Sequence, residues 1–487
     1  MQKSLIKNEK FWFWIIIIFF LLIRFVLFFY NFTEPPLDHH SFRQTQTLMT
    51  ARNFYLNGIN ILLPKLDMFG TPGYSILEFP IYQVMITILY KIFFPAEIFG
   101  RILSIVFTLF SALLLWLITK KLFDSKTAIF SAIFFLFSPL ILYYSRTIML
   151  EPMEIFLFLC SIYLYFLWID TNKTYLWILA TIQSALFILV KPLYVVIFLP
   201  IIFSYRFKKE EILSKKNILL ILSFAIQAIF VILWLHHANI INKLFPNNFA
   251  LTAKSLYECY FGPFLQHLNP NSYFIIIARI LSEFTGKAGM ILILLSLFEW
   301  KKLPAVIKAY VVSFAIYLMI FTNLNLIHDY YQLLIAPLMA IFMAIGFHKI
   351  LLLITRRKNL FIFLMIFMIA YSNVDAAKIY FENDKTRLER IKYIKKFVPS
   401  HSNAIYFGYD LDPNLPHYHY FAETKGVNIN LKNKKVQFQD IIIWNEKDNI
   451  RYFIFFGDTP NSVANIFKKI NGQLIFRLNG KISIYKI

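Results

Sequence analysis

Residues 34–54 read EPPLDHHSFRQTQTLMTARNF, directly after the apolar run at 11–30. Asp38, His39, His40, Arg43 and Arg52 therefore lie close to a membrane boundary. Further along come Glu78 in EFP, Glu151 in SRTIMLEPM, Lys191 in KP, the pair His236 and His237, and HDYYQL, which holds His328, Asp329, Tyr330 and Tyr331. A carboxylate there can take a proton, because partial burial raises its pKa. Arginine and lysine can bind an anionic group with charge-assisted hydrogen bonds. Histidines beside a carboxylate can hold a metal, although the adjacent His39 and His40 should point in different directions. Each residue also has a plainer explanation. Ser41 fits the cap of a helix over 43–58, which leaves Asp38 outside that role. Glu151 can neutralise Arg146, five residues before it. HDYYQL can belong to an interfacial aromatic belt.

These residues need elements to place them, and composition says what kind. The chain has 487 residues, 59% hydrophobic and 16% charged. Soluble domains carry roughly 45–50% apolar and 25% charged residues. A polytopic α-helical membrane protein is expected. The net charge of +22 does not point to nucleic acid, because lysine and arginine collect in short loops between apolar runs, as orientation signals do. Cys160 and Cys259 suggest neither a bridge nor a metal motif.

Lys3, Lys7 and Lys10 place the N-terminus in the cytoplasm, and 11–30 reads as an uncleaved first span. The run 80–94 is too short to cross, and the basic loop 120–126 gives the right parity only if 80–94 lies along the interface. Continuing this way predicts about eleven spans, with basic loops 206–216 and 355–358 inside. All the polar residues of the opening paragraph then fall on the external face, where a convergent set of ionisable groups marks a site. The expected organisation is a transmembrane domain over 1–374, with an external loop at 31–97 and a longer one at 236–286, and then an extracytoplasmic α/β domain over 375–487. In that last part DKTRLERIKYIKKFV has helical spacing. NAIYFGY, DIIIWN, RYFIFFG and KISIYKI read as strands, and NSVANIFKKIN as a helix.

The ordered set DHHSFRQTQTLMTARNF, EFP, GRILSIVFTLFSALLLWLITKKLF, SRTIMLEPMEIF and HDYYQLLIAPL resembles the bacterial family 39 type of GT-C glycosyltransferases. These are relatives of protein O-mannosyltransferases and of the transferase that adds aminoarabinose to lipid A. The segment YDLDPNLPHYHYFAETKG also looks like the external domain of such members. The resemblance implies transfer of a sugar from a polyprenyl phosphate to an extracytoplasmic acceptor, usually with inversion. That acceptor would be lipid A, a polysaccharide or a protein hydroxyl. It matches Asp38 to the family's first-loop acid, Glu151 to its second-loop acid, and Glu78 to the acid before the second span. Arg43, Lys191, His328, Tyr330 and Tyr331 would then meet the donor phosphate. A metal is left open, with Glu78, His40, His236 and His267 as candidate ligands. The protein would sit in the cell (inner) membrane among lipids.

The alternative is a transporter or flippase of lipid-linked sugars. It requires ionisable residues deep within spans. Arg24 and the few other charges in apolar runs read as lying near ends or unpaired, which favours the enzyme.

Overall fold

The computed structural model describes residues 2–205, 214–247, 250–432, 437, 439–441, 443, 446, 449–478 and 480–487. Most of the basic loop expected at 206–216 and half of the strand expected at DIIIWN lie outside these; the described residues 439–441 and 443 are helical, not strand.

Among the described residues, seven helical stretches are long and apolar enough to cross a bilayer. They are Lys10–Phe28, Ile98–Leu122, Glu151–Thr171, Lys215–Leu244, Pro270–Leu297, Tyr330–Leu353 and Lys358–Phe381. Five shorter apolar helices accompany them: Ile81–Ile92, Ser125–Leu136, Thr174–Val190, Pro192–Ser204 and Ala305–Ile320. The expected eleven crossings would need four of those five as well, so the long helices alone do not give that count. The chain is a multi-pass membrane protein, and it divides into two compact units.

The first unit comprises Met1–Glu34, Gly100–His236 and Lys254–Phe381. Its helices form because apolar residues run through almost every turn, and in lipid a helix satisfies its own backbone polar groups. Glu151–Thr171 packs on Thr174–Val190, and Ala336–Leu353 packs on both Ser125–Leu136 and Gly286–Leu297. Gly346 permits the last approach: a Cβ there would lie 2.0 Å from the Leu292 carbonyl oxygen. Pro139 divides the apolar run 125–144 into two helices, Ser125–Leu136 and Pro139–Tyr144. Arg24 staples that break. Its guanidinium donates to the carbonyls of Leu136 (2.7 Å) and Ile141 (3.3 Å) and to Ser145 Oγ (2.6 Å), and stacks over Phe28. Of the two expectations for Arg24, near a span end or unpaired, the first describes it: it lies four residues from the end of Lys10–Phe28 and is hydrogen-bonded. The stretch expected as a long external loop is largely helical, with Lys215–Leu244 running through His236 and a candidate span starting at Pro270.

The second unit comprises Pro35–Phe99, His237–Ala253 and Glu382–Ile487. A five-stranded sheet is built from β1 (Asn403–Gly408), β2 (Lys425–Asn430), β3 (Tyr452–Phe456), β4 (Gln473–Leu478) and β5 (Ile482–Lys486), in the order β2-β1-β3-β5-β4. β1 is parallel to β2 and β3; β5 is antiparallel to β3 and β4. One face buries Phe407, Phe453, Phe455 and Phe467. The other buries Tyr406, Ile454 and Ile484 under Ile391 and Ile394 of the Lys385–Phe397 helix. Leu37, from the segment that follows the first span, is part of that second core and is 2% exposed. In the same unit the Ser41–Asn57 helix packs on Ile81–Ile92, where the Thr87 hydroxyl donates to the Ala51 carbonyl at 3.1 Å.

Candidate active site

In the second unit the chain turns sharply just before the Ser41–Asn57 helix. His40, at φ 52°, is the residue preceding the first helical turn, and no side chain caps it. Ser41 is inside the helix, so it is not the cap. Its hydroxyl instead accepts from Arg387 at 3.2 Å. Asp38 is buried, and its carboxylate accepts from the Gln44 side-chain amide at 2.6 Å. The His39 and His40 rings are tilted by 56° with centroids 3.9 Å apart, so the two side chains lie together rather than pointing apart as expected. One turn into the helix, Arg43 reaches Gln46 and pairs with Glu78 at 3.1 Å. Gln83, in the first turn of Ile81–Ile92, donates to the other Glu78 oxygen at 3.1 Å. Two sequence candidates, one cation and one acid, are thus bonded to each other.

In the first unit Glu151 opens the Glu151–Thr171 helix, and Lys191 ends Thr174–Val190 as its C-terminal cap residue. The Lys191 ammonium meets Glu151 at 2.8 Å and Glu154 at 3.0 Å, all three groups being buried. Three aromatic rings surround the ammonium: Tyr331 at 4.6 Å, Tyr330 at 5.3 Å and Tyr194 at 5.7 Å. Such rings attract a desolvated cation through their faces. His328 stacks on Tyr330, with centroids 4.9 Å apart, and Tyr144 donates to Asp329 at 2.8 Å. Glu151 is joined to Lys191, while Arg146 donates to the Asn31 carbonyl at 2.8 Å and stacks over Phe381. Four sequence candidates in this unit, Glu151, Lys191, Tyr330 and Tyr331, therefore converge.

Residues 78–235, about a third of the chain, match the family model described as dolichyl-phosphate-mannose-protein mannosyltransferase. No curated protein sequence matches the chain. Over almost its whole length the chain superposes on ArnT from Cupriavidus metallidurans bound to undecaprenyl phosphate, with TM-score 0.66, 9% identity and coverage of 96% of this chain and 97% of that one. The archaeal oligosaccharyltransferase of Archaeoglobus fulgidus, tethered to an acceptor peptide containing the NVT sequon, superposes with TM-score 0.59 and 14% identity over 92% of this chain and 69% of that one. The same enzyme with Zn and sulfate gives TM-score 0.55 and 13% identity over 90% and 68%. The chain has the GT-C fold.

Within this GT-C fold two of the four metal candidates, Glu78 and His267, already have protein partners. Both Glu78 oxygens are taken by Arg43 and Gln83. Both His267 ring nitrogens face backbone carbonyls, those of Met319 at 2.8 Å and Phe261 at 2.6 Å. His236 is exposed on Lys215–Leu244 in the first unit, whereas His40 is in the second. Sequence reasoning missed Glu154, although it stands three residues after Glu151 on one helix and so shares its face. It also missed Gln44, whose amide reaches back past the helix start. Arg52 pairs with Asp67 at 2.8 Å and donates to the Tyr420 carbonyl at 2.5 Å. His417 and His419, inside the HYHYF helix, are buried as neutral rings. Burial holds His417 well below the usual histidine value and brings His419 down to about 4.

Proposed function

We propose that the chain is an integral membrane glycosyltransferase that moves a sugar from a polyprenyl-phosphate donor to an acceptor outside the cytoplasm, with inversion. The observation that carries this reading is the match of 78–235 to the mannosyltransferase family, because that stretch contains Glu78 and the buried Glu151–Lys191–Glu154 group. A lipid phosphate is also what two of the similar solved structures hold, undecaprenyl phosphate in one and dolichol phosphate in the other. N-terminus in the cytoplasm and C-terminal domain outside is the matching orientation.

In this reading Asp38 takes the proton of the acceptor group. The acceptor oxygen bonds to the anomeric carbon, and the bond from that carbon to the phosphate oxygen breaks. The polyprenyl phosphate leaves as an anion, which needs cations rather than a general acid. Arg43 supplies bidentate hydrogen bonds and Lys191 a point charge, with His328, Tyr330 and Tyr331 adding polar contacts. Glu78 fixes the Arg43 fork, and Glu151 with Glu154 fixes the Lys191 ammonium, so neither cation has to be ordered at the moment of reaction. Neither Glu78 nor His267 is poised to ligate a metal, and every step is assigned to protein groups. Lipid A, a polysaccharide and a protein hydroxyl all offer a suitable acceptor.

The alternative transporter would place its charges at mid-span. Glu151 and Lys191 stand at helix ends, and Arg24 directs Nε and Nη2 at carbonyls and a serine. The deciding experiment is single-turnover transfer from a polyprenyl-phosphate sugar, in membranes containing the native acceptor, by the Asp38→Asn variant. Loss of a general base lowers the rate by about a hundredfold to ten-thousandfold. Wild-type rate in that variant would remove Asp38 from the chemistry and turn attention to transport.

A further inference from the structure

We propose that the C-terminal sheet domain is a positioning device for the Asp38 loop, with Arg387 as its principal side chain. The proposal rests on the reading of Asp38 as the base, and it assigns the domain a part in that reaction. Asp38 lies between two residues that are both tied to the C-terminal part of the same unit. On its N-terminal side, the Leu37 side chain sits in the core beneath the sheet, with Ile391, Ile394, Tyr406 and Ile454. The Leu37 carbonyl accepts from the Asp384 backbone amide at 3.0 Å. On its C-terminal side, the Ser41 hydroxyl accepts from Arg387 at 3.2 Å. Asp384 caps the Lys385–Phe397 helix through the Arg387 amide at 2.8 Å and also pairs with the Arg387 guanidinium at 3.4 Å. The His417 ring faces the same guanidinium at 3.3 Å.

The two anchors do different physical work. Burying Leu37 removes apolar surface from water and fixes where the chain enters the loop. The Arg387–Ser41 bond, charge-assisted and partly buried, fixes where the chain leaves it. Between them the Asp38 carbonyl accepts from the Ser41 amide at 2.9 Å, closing a tight turn, and Gln44 orients the carboxylate. A loop held only at its membrane end would let the carboxylate sample many orientations. A displacement of about 1 Å in a reacting group can cost on the order of a hundredfold in rate. Pinning both flanks from a folded domain prevents that, and it gives a sheet with no catalytic candidate of its own a role in the chemistry.

The test uses the full-length purified protein. Hydrogen exchange is followed by mass spectrometry at amides 38–44 and, as an internal reference, at β3 (Tyr452–Phe456). Turnover and donor KM are followed as release of polyprenyl phosphate from a labelled polyprenyl-phosphate sugar in membranes holding the native acceptor. Arg387→Ala should speed exchange at 38–44, leave β3 unchanged, and lower kcat by about tenfold to a hundredfold with donor KM retained. Arg387→Lys should restore part of both. Ser41→Ala should reproduce Arg387→Ala, and the two together should do no more than either alone. Glu389→Gln, on the same helix as Arg387, breaks an exposed pair with Lys481 immediately before β5 and should change nothing. Unchanged exchange at 38–44 in Arg387→Ala, or loosened exchange with full kcat, overturns the proposal. So does a Glu389→Gln effect equal to that of Arg387→Ala, which would mean the helix merely stabilises its domain. Failure of the underlying reading looks different: the loop loosens as expected, yet Asp38→Asn itself turns over at the wild-type rate.

Discussion

The Lys191 ammonium is shared between Glu151 at 2.8 Å and Glu154 at 3.0 Å, so one buried cation neutralises one of two buried carboxylates. Removing the cation leaves both acids uncompensated. Breaking a buried pair from one side typically costs about 3–5 kcal/mol. Lys191→Met should therefore lower the thermal unfolding midpoint in detergent markedly, and adding Glu151→Gln and Glu154→Gln should recover most of it without recovering transfer. A Lys191→Met protein that melts like the wild type would show that the pairing contributes no stability.

Arg43 and Glu78 form a one-to-one pair, so donor phosphate and Glu78 compete for the same guanidinium. Arg43→Ala should raise donor KM. Arg43→Lys should rescue it only in part, because an ammonium cannot make the bidentate bond. Glu78→Gln should tighten donor binding while lowering kcat, since the fork gains charge for the ligand and loses its orientation. Titration of each purified variant with polyprenyl phosphate reads this directly; equal affinity across all three would place the phosphate elsewhere.

His419 predicts an acid limit to stability. Its ring is buried beside Tyr406, and its value in the folded protein is brought from 6.5 to about 4, chiefly by burial. The fold thus favours the neutral ring. That stability is complete above pH 6.5 and is lost as the pH falls from 6.5 towards 4. The full window corresponds to on the order of 3 kcal/mol. Thermal melts of the wild type should fall across it, and those of His419→Phe, which keeps an aromatic ring and cannot take the proton, should fall less. Parallel pH curves would rule His419 out as the titrating group.

The orientation is checked by where tags report. Fusions after Lys126 and after Lys358 should report the cytoplasm, and one after Ile487 the opposite side, because basic residues mark the retained loops. Cysteines placed at Glu78 and Ala96 should both label from outside. Ala96 accessible only from the cytoplasm would mean that Ile81–Ile92 crosses the bilayer.

The centre of the sheet was legible and its edges were not. NAIYFG, YFIFF and ISIYK, which became β1, β3 and β5, are apolar on both faces because both faces are covered, and such strands read as continuous hydrophobic runs. KGVNIN and QLIFRL, which became β2 and β4, are the outer strands. β2 carries lysine, glycine and two asparagines, and no residue of β4 is fully buried, so neither has the periodicity of a buried strand. The Ser41–Asn57 helix and the short helix before the second long span were legible from spacing and length. Glu151 and Lys191 could each be picked out as polar residues in an apolar context. That they bond to each other depends on two helices meeting 40 residues apart, and no local pattern encodes such a meeting.

Leu37 also has a consequence for how the protein is made. Its hydrophobic partners, Ile391 to Ile484, lie some 350 to 450 residues downstream, and a ribosome adds roughly 5–20 residues per second. For most of a minute of synthesis the segment around Leu37 exists without the surface it packs against, while the helices that follow are still being inserted. The long separation makes this a late and slow contact to form. A chain cut short anywhere before the sheet would carry every charged residue proposed for transfer and still leave the loop around Asp38 unset. Completion of the last strand would then be the step that switches a nascent membrane protein from inert to competent.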